Sequence, residues 1–225
     1  MTLRLAIFDV DGTLVDSQAS IVAAMTAAFA ALGLPVPSRT QILSIVGLSL
    51  DHAMLRLVPE QDADTRARLV EAYKQAYFEH RLAQGAAHSP LFPGALEVLQ
   101  QLHADPEVLL AVATGKSRRG LDGLIEAHGL ERFFVSRQVA DDHPSKPHPS
   151  MIHTAIAESG AAPADAVMIG DTTFDMDMAQ AAGIAGLGVG WGYHDAAALD
   201  RVARRVVHRF DDMIPALQDI WKGPA

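Results

Sequence analysis

LRLAIFDVDGTLVDS, residues 3–17, is an apolar run that ends on carboxylates: Asp9, Asp11 and Asp16 fall within eight positions, with Gly12 and Thr13 between the second and third. Residues 3–9 are nearly all apolar and include β-favouring side chains, the pattern of a strand covered on both faces. A carboxylate that closes such a strand rarely serves stability, because Asp is almost never fully buried unless it is paired. In open α/β sheets, ligands bind where the carboxyl ends of strands meet loops, and Asp9 stands at such an end.

Working outward, similar short apolar runs recur at 108–114 (VLLAVAT), 132–136 (RFFVS), 166–170 (AVMIG) and 186–190 (GLGVG), with a weaker one at 205–208. Helical spacing separates most of them: Leu96, Leu99 and Leu102 within 94–104; Leu121, Leu124 and Ile125 within 118–128; Ile152, Ala155 and Ile156 within 149–159. Strand and helix in alternation predict an α/β fold, a Rossmann-like parallel sheet with helices on both faces. One region breaks the alternation. Residues 17–83 carry only helical patterns, with Ile21, Met25, Phe29 and Leu32 before Gly33, PVPS (35–38) as a turn, and a second periodic run over 64–83. The expected organisation is a core of residues 1–15 and 84–225 with a helical cap of 16–83 inserted after the first strand. Its return linker is expected near QGAAHSPLFPG (84–94).

The 225 residues suit one large domain or a domain plus a small insert, and 49% hydrophobic against 20% charged residues excludes disorder. A net charge of -9, from 18 basic and 27 acidic residues, argues against a nucleic-acid partner. The absence of cysteine removes disulfides, thiol catalysis and cysteine-ligated zinc. Asp9 and Asp11 cut the first apolar run short of a signal-peptide core, and nothing later resembles a membrane span, so a cytoplasmic protein without membrane attachment is expected. Oligomeric state has no signature here.

The strand-then-aspartate device repeats at DAVMIGDTTFD (165–175). Asp171 follows a strand, and Asp175 lies four residues on, sharing one side of a helix that begins near Thr172. Two strand ends then converge on a cluster of carboxylates, which is costly without a cation inside it; oxygen-only ligands favour a hard ion, and magnesium is the expected occupant. Magnesium normally shares its shell with a phosphate, which points to phosphoryl chemistry. Thr114 closes the second strand and precedes Gly115 and Lys116, so a hydroxyl and free N–H groups can face an anion at a helix start; the other reading of Thr114 is an N-cap. Lys146 sits between prolines in HPSKPHPS, where a solvated loop lysine is the plain alternative. Asp16 with Ser17 reads as helix capping, and Asp175 also suits a helix N-terminus electrostatically.

DVDGT after strand one, a threonine closing strand two, an isolated lysine before a helix, and GDTTFD after a later strand occur in the order found in the haloacid dehalogenase superfamily. Over residues 3–215 the chain resembles its phosphoglycolate phosphatase-like branch, whose members carry a small helical cap. The resemblance implies Asp9 as nucleophile and Asp11 as general acid and base. It assigns magnesium to the Asp9 carboxylate, the Asp11 backbone carbonyl and Asp171, with Asp175 supporting. Thr114 and Lys146 would hold phosphate oxygens, and Gly12, Thr13, Gly115 and Lys116 are expected to line the substrate. The implied activity is hydrolysis of a small phosphorylated metabolite, 2-phosphoglycolate first among them. A phosphomutase, pyrophosphatase or nucleotidase of the same superfamily is the alternative; Asp11 separates the chain from the dehalogenases, which lack an acid there.

Other features read differently. AGLGVGWG (185–192) fails as a dinucleotide fingerprint because no periodic helix starts at its end. The histidines show no metal-binding spacing. Arg118 and Arg119 read as an exposed helix face, within reach of a second substrate anion, and Tyr73, Tyr77 and Phe78 as core packing. The loop VGLSL (46–50) is expected to face the leaving group.

Overall fold

The computed structural model describes residues 2–223. Six parallel strands, β1 (Arg4–Phe8), β2 (Val108–Thr114), β3 (Phe134–Val139), β4 (Ala166–Gly170), β5 (Ala185–Val189) and β6 (Arg205–Val207), form one sheet in the order β3-β2-β1-β4-β5-β6. Between β1 and β2 stand four helices, α1 (Gln18–Ala31), α2 (Arg39–Leu43), α3 (Leu50–Leu57) and α4 (Ala63–Gln84), and then α5 (Ala95–Ala104). The remaining strands are linked or followed by α6 (Arg118–His128), α7 (Ser150–Ser159), α8 (Thr173–Ala181), α9 (Ala196–Leu199) and α10 (Met213–Trp221). Among the described residues no helix is long and apolar enough to cross a membrane.

The sheet is buried on both faces, and β1 shows how its sequence serves both. Ala6 and Phe8 pack with Val112, Ile169 and Leu187 beneath α5, α6 and α10, while Leu5 and Ile7 face Ala113, Met168 and the small side chains of α7 and α8. Period-two alternation over the apolar run Leu5–Phe8 therefore fills two cores at once. The chain goes from β1 to one side through β2 and β3, then returns to β1's other side at β4. That switch point lies between β1 and β4, where the Asp9 amide donates to the Ile169 carbonyl at 2.9 Å.

The α1–α4 insert has its own apolar cluster, including Met25, Phe29, Ile42, Met54 and Leu69, which also takes in Phe174 of α8. The two passages joining it to the sheet run side by side: the Asp16 amide donates to the Pro90 carbonyl and the Phe92 amide to that of Leu14, both at 2.9 Å. The third strand differs from the expected 132–136. Phe133 is spent on a turn, its amide bonded to Leu130, and its ring meets His103 edge-on at 5.3 Å. The strand proper holds buried Ser136 and Gln138 linked by a 2.7 Å hydrogen bond, a polar pattern that hides an edge strand from hydrophobic periodicity.

Candidate active site

Asp9, Asp171 and Asp175 come from the ends of β1 and β4 and the first turn of α8, and each offers a buried carboxylate oxygen within 4.8 Å of the others. Each is held differently. Asp175 is the third residue of α8 in a capping box: Thr172 donates to its Oδ2 from the amide at 3.1 Å and from the hydroxyl at 2.7 Å. Asp171 accepts the Thr13 hydroxyl at 2.9 Å and the Tyr193 amide at 2.8 Å. The Asp9 carboxylate, 1% exposed, accepts no well-formed hydrogen bond on either oxygen; Lys146 Nζ stands 3.0 Å from its Oδ1 and donates to Asp175 Oδ1 at 2.6 Å.

Backbone shape lets these groups meet. A Cβ on Gly12 would lie 2.2 Å from Asp171 Oδ2, and Gly12 has φ +83°, so the DGT glycine is required twice over. On the other side, a Cβ on Gly192 would fall 2.1 Å from the Asp171 Cβ. The glycine-rich run that fails as a dinucleotide motif thus walls the carboxylate site instead.

Electrostatics follow from burial. Burial pushes the Asp9 carboxyl up to about 7; Lys146 opposes this, and the Asp175 and Asp11 charges add to it. Asp171 is raised well above the usual range, by burial first and then by the charges of Asp175 and Asp9. Burial alone would lower Lys146, but Asp175 and Asp9 outweigh it and hold the ammonium above its ordinary value. Such a set stays ionised only around positive charge, and its hard oxygen donors and donor-free Asp9 oxygens fit a magnesium ion.

Asp11 points elsewhere. Its carboxylate accepts Lys116 Nζ at 2.8 and 2.9 Å and the Ser17 hydroxyl at 2.5 Å. Since Ser17 gives its proton to Asp11, the 2.9 Å contact between Ser17 Oγ and the Tyr193 hydroxyl has Tyr193 as donor, while Tyr193 Oη accepts the Ser17 amide at 3.0 Å. Lys116 also reaches the Tyr77 hydroxyl at 2.9 Å. Burial alone would lower this ammonium too; Asp11 and Tyr77 raise it on balance.

A cavity of about 380 Å³ opens above Asp9 and Asp11, lined by Thr114, Gly115 and Lys116 from the core and by Gly47, Leu48 and Tyr77 from the insert, among others. Thr114 is not an N-cap: Ser117 caps α6, accepting the Gly120 amide at 3.2 Å. Ser17 precedes α1 but makes no side-chain cap, its hydroxyl being committed to Asp11. Gly12 and Thr13, expected at the substrate, do not line the cavity, because both are pressed against Asp171. Tyr73, Tyr77 and Phe78, read as core, all line it, and Tyr73 and Tyr77 also pack against the insert's apolar cluster. The 46–50 loop meets the core at this point: a Cβ on Gly115 would fall 2.5 Å from the Gly47 carbonyl oxygen. Ser17, Tyr77, Gly192 and Tyr193 carry no local sequence signal of their place here.

A parallel sheet with carboxylates converging at its switch point, under a helical insert, defines a hydrolase architecture that the chain's relatives share. Residues 6–189 match the family model for haloacid dehalogenase-like hydrolases, and the chain belongs to that family. It is 38% identical to a probable phosphatase, IndB, of Dickeya dadantii, over 97% of this chain and 95% of that one. It is 29% identical to a phosphoglycolate phosphatase of Agrobacterium fabrum, over 98% and 96% of the two chains. A crystallised hydrolase from Pseudomonas syringae superposes with a TM-score of 0.84 at 28% identity, over 98% of this chain and 99% of that one. The chain is an enzyme of the phosphoric monoester hydrolase class.

Proposed function

We propose that this phosphatase is magnesium-dependent, acts on a small phosphorylated metabolite through an aspartyl-phosphate on Asp9, and uses residues 16–83 as a cap over the reaction. The observation that carries this reading is the Asp9 carboxylate: buried, with neither oxygen in a well-formed hydrogen bond, beside a buried ammonium and at the floor of the cavity. A nucleophile needs lone pairs that no donor occupies.

Asp9 attacks phosphorus while the ester P–O bond breaks and Asp11 gives its proton to the leaving alkoxide. Water then attacks the same phosphorus, Asp11 takes its proton, and the aspartyl P–O bond breaks to release inorganic phosphate. Lys116 and Ser17 hold Asp11 toward the cavity. Thr114 and the Gly115 amide at the cavity wall, and Lys146 buried against Asp9, would meet the phosphoryl oxygens, where fixed positive charge favours the transition state. Asp9, Asp171 and the Asp11 carbonyl would hold magnesium, with Asp175 supporting through Lys146; the ion would neutralise phosphoryl charge. Around Lys146, the carboxylates of Asp9, Asp171 and Asp175 leave a negative excess that a divalent cation balances.

The phosphoglycolate phosphatase named among the relatives supports 2-phosphoglycolate as the leading substrate. The test is phosphate release from a panel of phosphomonoesters, with magnesium or with excess EDTA. Release is expected only with magnesium, and Asp9→Asn is expected to lower it by at least about 10³-fold. Release that survives this substitution rules out Asp9 as nucleophile; isomerisation of sugar phosphates without release makes the chain a mutase.

A further inference from the structure

The cavity is larger than the phosphoryl site needs. At about 380 Å³ it falls in the range that holds drug-sized ligands, and apolar Met25, Val46 and Leu48 line it beyond the carboxylates. At its other end, α4 of the insert faces α6 of the core. There Arg119 places its guanidinium carbon 3.7 Å from the Phe78 ring centroid, and Arg81 lies 5.5 Å from the same ring. Arg81 is packed so closely on α6 that a Cβ on Gly123 would fall 1.2 Å from its Nη1.

Neither guanidinium is paired with a carboxylate among the described residues. Besides Asp9 and Asp11, two carboxylates line the cavity, and both are engaged: Glu71 with Lys74 at 2.8 Å, Asp141 with the Arg118 amide at 2.8 Å. In a chain of net charge -9, two uncompensated cations from two elements, converging on one ring at a cavity wall, make a site for an anion. At 1.5 Å rise per residue, Gly123 lies roughly 8 Å along α6 from the end near Lys116.

We propose that Arg81 and Arg119 form a second anion subsite, and that the physiological substrate is a phosphomonoester whose leaving group ends in a distal carboxylate or phosphate. This rests on the phosphatase reading and refines its substrate. 2-Phosphoglycolate carries its carboxylate one carbon from the ester oxygen, so it is the short-reach comparison against which a distal anion is measured.

The experiment compares kcat/KM for hexyl phosphate, 6-phosphonooxyhexanoate and 1,6-hexanediol bisphosphate, with p-nitrophenyl phosphate and 2-phosphoglycolate alongside. The two compounds with a distal anion are expected to exceed hexyl phosphate at least tenfold, mainly through KM, and whichever is better identifies the distal group. Arg81→Gln and Arg119→Gln should each bring that ratio toward one, and Arg119→Lys should retain part of it. A ratio near one in the wild type, or a ratio unmoved by both glutamine variants, overturns the subsite while p-nitrophenyl phosphate turnover keeps the phosphatase reading intact. No turnover of any compound overturns both.

Discussion

At the scale of single residues, the site separates groups that react from groups that aim them. Tyr193 binds both halves at once: its amide holds Asp171, and its hydroxyl donates to Ser17, which donates to Asp11. Removing that hydroxyl loosens Asp11 without touching the cation cluster. Tyr193→Phe is therefore expected to lower kcat about tenfold, the worth of about one hydrogen bond, with KM nearly unchanged. Steady-state kinetics check this; an altered KM at constant kcat would make Tyr193 a substrate contact instead. Asp9 and Asp171 were legible in the sequence because each sits one step past an apolar strand, where burial makes a charge conspicuous. Tyr193 and Tyr77 were not legible. They reach Asp11 only through intermediaries distant in the chain, Tyr193 through Ser17 across 176 positions and Tyr77 through Lys116 across 39, and an isolated tyrosine reads equally well as packing.

At the scale of elements, loops press on the site from both sides and tolerate little added volume. Gly192→Ala places a methyl carbon on the Asp171 side chain and is expected to abolish activity. Gly160→Ala meets nothing within 4 Å; its positive φ costs about 1 kcal/mol of stability and leaves kinetics alone. Thermal melts and phosphate release on the two variants make the contrast. The return linker makes a different prediction. His88 is buried, bonded to Ser20 through Nδ1 and edge-on to Tyr77, and burial lowers its pKa to about 4, with Lys116, His80 and Arg81 adding to the effect and Asp11 opposing it. The unfolded chain takes up this proton below about 6.5, the folded chain only below about 4, so stability falls as pH drops through that window. His88→Gln should flatten the Tm between pH 6.5 and 5 relative to wild type. Boundaries were the least legible part of the elements: β3 slipped by two residues because buried Ser136 and Gln138 satisfy each other rather than following an apolar pattern.

At the scale of the molecule, sheet and insert each pack their own apolar cluster, with the cavity lined by both. The sheet was readable because its strands, buried on both faces, are written almost wholly in apolar residues; the insert's short helices α2 and α3 were not, being too brief to show a period. A cation bound at the floor of the cavity stabilises only the folded chain, so magnesium should raise Tm by several degrees at saturation. Asp171→Asn should abolish that rise, whatever it does to the Tm without metal. A wild-type Tm indifferent to magnesium would exclude the cation from the cluster.

The strand order has a consequence for how the chain is made. Of the six strands β1 is made before the others, yet one of its two neighbours, β4, begins at residue 166, and the Tyr193 that ties Asp171 to Asp11 comes later still. Until then a strand apolar over Leu5–Phe8 has an unsatisfied edge, the kind of long-range pairing that slows folding and invites association with other chains. Nascent chains halted before residue 166 should need a chaperone to stay dispersed; no fragment short of residue 175 can assemble the carboxylate cluster, and none short of residue 193 can tie it to Asp11. Competence is therefore a late event in the life of each copy, arriving only once β4, α8 and the loop that carries Tyr193 have been made.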